Sequence, residues 1–184
     1  GINLGSSTDA AADTLELSDA ELDRITAGAV LVISSRAELR ISAPISPSGV
    51  GTLSLLAEGA VVDGNASGAD VTVAALAVDA TSVGAFDNRL ETAAGSLNAR
   101  ARAGGVYVID NDALTVSGAS ATGAGIFLTA QGPLSVTGNV TAGGSQVELA
   151  ALGSGSLFSP AAGAGVSGSS VMLTADRMDV TGSV

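Results

Sequence analysis

Apolar residues fall at alternate positions in short runs along most of this chain, and one run is written three times. GVYVIDNDALTVSG (105–118) is followed by GIFLTAQGPLSVTG (125–138). Val106 maps to Ile126, Val108 to Leu128, Leu114 to Leu134, Val116 to Val136 and Gly118 to Gly138. SVMLTADRMDVTG (170–182) repeats the pattern with one residue missing, and puts Val171, Leu173, Met178, Val180 and Gly182 in the same roles. Between them lies a degenerate copy, Val147-Glu148-Leu149, whose second strand is expected around Leu157. First-strand positions 106, 126, 147 and 171 are spaced by 20, 21 and 24. Short apolar strands at a period near 20 are the mark of a solenoid.

The same grammar extends back to Ala29. Strands are expected at Val30 to Ile33, Leu39 to Ile41, Leu53 to Leu55, Val61-Val62, Val71 to Val73 and Leu76 to Val78, punctuated by Gly, Pro, Asn, Asp or Ser. Pro44 and Pro47 flank Ile45 and mark a turn. The stretch 83–100 is the least regular, with Phe86 and Leu90 as candidate core residues, Asp87-Asn88-Arg89 as an outward loop, and a strand restarting at Leu97-Asn98-Ala99. Residues 1–14 read as loop, and Leu15-Glu16-Leu17 as a brief strand. LSDAELDRITAG (17–28) carries the one helix signal: Ser18 as N-cap, Glu21 completing a capping box, and Gly28 at the left-handed C′ position. Leu22 and Ile25 would dock this short helix on neighbouring strands.

The pattern predicts an all-β chain: a parallel β-helix of about seven coils of 20–24 residues, with strands about 4.8 Å apart along the axis. Residues 1–28 form an N-terminal loop and short capping helix, and 29–184 the repeats, read as an excerpt of a longer chain. Interior Val, Leu and Ile columns would fill the core, and Gly118, Gly138 and Gly182 would permit left-handed turns. Alternation turns the middle residue of each first strand outward. That column reads Arg40, Ser54, Thr72, Tyr107, Phe127, Glu148 and Met172, and Tyr107, Phe127 and Met172 form a candidate interaction face. A covered aromatic ladder that only stabilises the solenoid is the other reading.

Composition removes several chemistries. The 184 residues are 46% hydrophobic but only 2% aromatic, so the core is aliphatic. A net charge of −11 opposes nucleic-acid binding. Without Cys or His, the chain has no disulfide, thiol or imidazole chemistry. No apolar run reaches the roughly 18 residues of a membrane span, so no membrane insertion is expected. Asp110-Asn111-Asp112 is the best acidic cluster, and paired carboxylates on a β-helix serve polysaccharide-processing enzymes. The neighbouring coils offer no second acidic wall, and turn Asp and Asn explain themselves. Calcium at Asp63-Gly64-Asn65, or at Asp110 with Asp112, is weaker still, because the Gly-Gly-x-Gly-x-Asp nonapeptide is missing. No catalytic residue, cofactor or metal is assigned.

TLELSDAELDRITAG (14–28), together with ALTVSG (113–118) and PLSVTGNVTAGG (133–144), resembles the repeats of very large bacterial exoproteins, which are similar to filamentous haemagglutinin-type adhesins. The likeness covers most of the chain, and the LSDAELDRI block is its specific part. It implies a right-handed parallel β-helix, secreted and displayed at the cell surface as a rod or fibre, with no catalytic residue. The partners expected are further repeats of the same protein, through self-association or end-to-end stacking, and a host-surface or glycan ligand. Two alternatives accompany this structural reading: a polysaccharide-processing enzyme using Asp110 and Asp112, and a carbohydrate-binding module using Tyr107 and Phe127.

Overall fold

The computed structural model describes residues 1–180, and Gly182 lies outside them. Strand accounts for 54% of the chain and helix for 2%. In chain order the elements are β1 (Ile2–Leu4), β2 (Leu15–Leu17), α1 (Asp19–Leu22), β3 (Ala27–Ser35), β4 (Leu39–Ile41), β5 (Val50–Ala57) and β6 (Val61–Asp63). Then come β7 (Val71–Ala80), β8 (Leu90–Ala101), β9 (Val106–Asp110), β10 (Leu114–Ala121), β11 (Ile126–Ala130) and β12 (Leu134–Val136). The last are β13 (Val140–Ala142), β14 (Gln146–Ala151), β15 (Leu157–Pro160), β16 (Val166–Ser167), β17 (Ser170–Ala175) and β18 (Arg177–Met178). The paired strands run parallel and wind into a β-solenoid of about seven turns.

Two walls run along the stack. One holds β3, β5, the later halves of β7 and β8, then β10, β12 with β13, and β15 with β16. The other holds β2, β1, β4 and β6, passes through Val83, and continues as β9, β11, β14 and β17. A narrow third wall exists only in the early coils: Ile45 bridges Val71, and Val71–Val73 of β7 pairs with Thr92–Ala94 of β8. Leu90, Glu91 and Thr92 then pair with the end of β9, so this wall merges into its neighbour.

Inside, the repeat does what its pattern implies. Val106 pairs with Ile126, Ile126 with Val147 and Val147 with Val171, all in register. Val106, Val108, Ile126, Leu128, Leu134, Val136, Val147 and Leu149 are all fully buried. The degenerate copy has its second strand around Leu157 as expected, β15, and within it Phe158 pairs with Leu134 and points inward. The preceding turn carries Gly153 and Gly155 with φ of 103° and 77°. A one-residue change in that turn moves the partner of Leu134 by one and exchanges the inward and outward faces.

Other expectations are corrected by tertiary pairing. Residues 1–14 are not all loop, because Ile2 and Leu4 flank Asn3 in β1, which inserts between β2 and β4. Strand segments 71–73 and 76–78 are one strand, β7, and the stretch read as least regular holds all but the last residue of β8, the longest strand among the described residues at 12 residues. The helix stops after four residues. By Ala27 the chain is already pairing with Val50, its N–H donating to Gly49 O at 3.0 Å, so sheet formation overrides the helix signal. Gly28 therefore lies in β3 rather than at a left-handed helix end, and Ile25 is exposed while Leu22 is buried. Gly118 and Gly138 do not adopt positive φ either. Gly118 follows a register shift in β10, and Gly138 lies so close to the Ser117 carbonyl that a Cβ would collide with it.

The two ends differ. At the N-terminal end, Glu21 accepts from the Ser18 backbone N–H at 2.9 Å and its hydroxyl at 2.7 Å. Asp19 and Asp23 of this short turn accept the backbone N–H groups of Ser46 and Ser48 at 2.6 and 2.9 Å, pinning it across the coil. Leu22 is thereby fully buried, while Leu15, which pairs with inward Ile2, stays 53% exposed. Glu16 gathers loop 5–14 by accepting from the N–H groups of Ala10 and Ala11 at 2.7 and 2.8 Å and from the Ser6 hydroxyl at 2.7 Å. At the other end, Val171, Leu173 and Ala175 of β17 occupy inward positions but are only half-buried. Met172, Met178 and Val180 are exposed there. Among the described residues, no helix is long and apolar enough to cross a membrane.

Candidate functional site

The second wall carries the candidate face. Tyr107, Phe127, Glu148 and Met172 pair in that order, one per rung. Tyr107 and Phe127 stack, with centroids 5.5 Å apart and planes at 17°. Met172 lies two rungs beyond Phe127, with Glu148 between, so it shares their column but not their cluster. Arg40 stands lower on the same wall, paired with Asn3 and Val62. Ser54 and Thr72 do not belong to it: Ser54 pairs with Val32 and Ala77, and Thr72 with Ala93, on the other walls. An identical local pattern of alternation cannot say on which wall a strand lies.

Phe86 completes the cluster. It is not a core residue: its relative exposure is 63%. Its ring meets Phe127 at 5.2 Å and Tyr107 at 6.2 Å, edge-on to both. The turn that presents it leaves the wall at Gly84, whose φ of 63° and contact with the Tyr107 carbonyl exclude a Cβ. Ala85 and Asn88 exchange backbone hydrogen bonds at 2.9 and 3.2 Å, and Asn88 Nδ2 donates to Asp63 O at 3.1 Å. Arg89 lies against the rings of Phe86 and Phe127, its guanidinium carbon 5.9 and 5.8 Å from their centroids, and donates to the Thr129 hydroxyl at 3.2 Å. The signal for Phe86 was in the sequence: it falls between a turn glycine and Asp87-Asn88-Arg89, inside the loop and not before it.

The acidic candidates separate. Asp110 is fully buried. Its Oδ2 accepts from the Thr92 hydroxyl at 2.7 Å and the Ala94 N–H at 2.8 Å, and its Oδ1 from the Asp112 N–H at 3.0 Å. Asp112 is exposed, so the two present no facing carboxyl pair. Asp110 holds the corner where the third wall merges into the second. Asp70 does similar work one corner earlier, accepting from Asn65 Nδ2 at 2.6 Å and the Glu91 N–H at 2.8 Å. Burial pushes its carboxyl up to about 8, with Asp63 and Glu91 adding repulsion and the Glu91 N–H opposing the shift. At the capped end the opposite holds: the N–H of Ala11, the Ser6 hydroxyl and the N–H of Ala10 lower Glu16 to about 2. No group of three or more carboxylates converges to hold a metal ion among the described residues.

Between the Phe86 turn and the 63–67 turn lies an open cleft of about 280 Å³, lined by Asp63, Asn65, Asp87, Arg89 and Glu91 as well as Phe86. Comparison with family models, curated proteins and solved structures finds no match to this chain.

Proposed function

We propose that this chain is a structural and interaction segment: a β-solenoid belonging to a large, secreted or surface-displayed, adhesin-like filament. The observation that carries this reading is the terminal β17 rung. It presents an edge, and its inward Val171, Leu173 and Ala175 are only half-buried. A solenoid gains its stability from neighbouring rungs, so an uncovered rung is a surface for another one. Further repeats, or the same rung of a second copy, are the partners proposed, and the function is mechanical rather than catalytic. The burial of Asp110 and its three accepted hydrogen bonds give the polysaccharide-processing alternative no support.

Sedimentation and electron microscopy over a concentration series test the assembly. Association that Leu173→Lys abolishes is the expected result. Monomers at every concentration, with the variant indistinguishable from the parent, would count against it. Surface display is tested separately by labelling intact source cells with antibody to this chain; signal only after permeabilisation would remove that part.

A further inference from the structure

The cleft beside Phe86 is unexplained by a mechanical role. The chain has four aromatic residues, three Phe and one Tyr. One of them, Phe158, fills the core. The other three meet at a single spot on the outside, and the most exposed of them forms a cleft wall. Scattered exposed apolar residues are ordinary, but a clustered and immobilised aromatic is not. Phe86 is held by two edge-on ring contacts and by a turn closed on itself, so binding at its free surface would cost little ordering. The facing turn is equally fixed: Asp63 Oδ1 accepts the Asn65 N–H and Asn65 Oδ1 the Ser67 N–H, both at 2.8 Å.

The chemistry of the cleft is one-sided. Asp63, Asp87 and Glu91 face one cation, Arg89, which is turned to the rings and Thr129 instead of to the carboxylates. Among the described residues, the side chains of Asp87 and Glu91 have no hydrogen-bond or ion-pair partner, and the only ion pairs join Asp79 to Arg100 and Arg102. Asn65 Nδ2 donates to Asp70 and Asn88 Nδ2 to the Asp63 carbonyl, away from Asp87 and Glu91. Unpaired carboxylate acceptors thus stand beside an aromatic surface. That set matches a donor-rich cation, through ion pairing and attraction to the ring face.

We propose that this cleft binds an organic cation, a guanidinium or primary ammonium group carried on a short alkyl chain. The inference stands apart from the filament reading, since the cleft lies on the side of the stack and not on its end. A free amine and the side chain of another protein's arginine share this chemistry. The probes are agmatine and the blocked tripeptide acetyl-Gly-Arg-Gly-amide, titrated at low salt by calorimetry and by the fluorescence of Tyr107, the chain's one tyrosine and a neighbour of Phe86. Saturable binding of agmatine is expected, weakened at least about tenfold by Phe86→Ala and by Glu91→Gln, and weakened further by salt. Equal affinity for the tripeptide assigns the cation to a protein side chain, and preference for agmatine assigns it to a free amine; both support the site. Glu91→Gln keeps shape and exposes any folding defect of Phe86→Ala, with circular dichroism as control. No saturable binding of either probe, binding unchanged in both variants, or binding of neutral oligosaccharides in their place would overturn the proposal.

Discussion

The two ends of this solenoid solve the same problem differently. A stack of parallel rungs leaves its last interior row facing water. At the N-terminal end Leu22, on a four-residue helical turn that could not persist alone, is fully buried, while Leu15 in the terminal strand stays 53% exposed. Asp19 and Asp23 hold that turn to the backbone of Ser46 and Ser48, and Glu16 ties the preceding loop over β1 and β2. At the C-terminal end no such device is present among the described residues, and Val171, Leu173 and Ala175 stay half-exposed. The N-terminal turn is thus held by carboxylates that capture backbone N–H groups.

The most damaging test sets the scale for that comparison. Leu134→Asp places a carboxylate in a fully buried column between Leu114 and Phe158, and should cost more than about 4 kcal/mol and unfold the stack by thermal melting. A folded variant would mean that the column does not hold the rungs. The next pair sharpens the contrast directly. Leu22→Ala at the N-terminal end should cost about 2–4 kcal/mol, while Leu173→Ala at the open end should cost about 1 kcal/mol or less in the monomer. Equal losses by denaturant titration would erase the difference between the ends.

Acid and base should act at different places. Glu16 sits below its ordinary value of 4.5, so its contribution is present above about pH 4.5 and fades as pH falls toward 2. Asp70 sits above its ordinary 3.8, so the folded state holds a proton there that the unfolded chain has lost. Stability should therefore fall as pH rises from about 4 to about 8. Melting curves across pH should show both limbs, with Asp70→Asn flattening the upper and Glu16→Gln the lower. An upper limb unchanged in Asp70→Asn would place its origin elsewhere. The smallest effect is Glu148→Ala, outward on β14, which should stay within about 0.5 kcal/mol of the parent.

How far the sequence could be read follows from the same physics. The copies at 105–118 and 125–138 are legible because each interior position recurs at one spacing, which fixes rung, register and face together. β1 is illegible because three residues, Ile2 to Leu4, become a strand only by pairing with β2 and with β4, the latter more than 30 residues away. Asp110 reads as a turn acid at a surface and is instead a buried corner clamp, since its partners Thr92 and Ala94 come from the preceding coil. The candidate face was half visible: Tyr107 over Phe127 followed from the repeat, whereas Phe86 and Arg89 reach it from a loop with no counterpart in other coils. Repetition carries information about stacking; single long-range contacts do not repeat.

Hydrogen exchange followed peptide by peptide over a concentration series reads whether the β17 rung recruits another. An open β17 rung predicts that residues 170–175 exchange faster than their neighbours in β11 and β14 when dilute, and gain protection as concentration rises. Residues 15–35 should show no such dependence. Protection of 170–175 that is high when dilute and independent of concentration would contradict an open rung that recruits another.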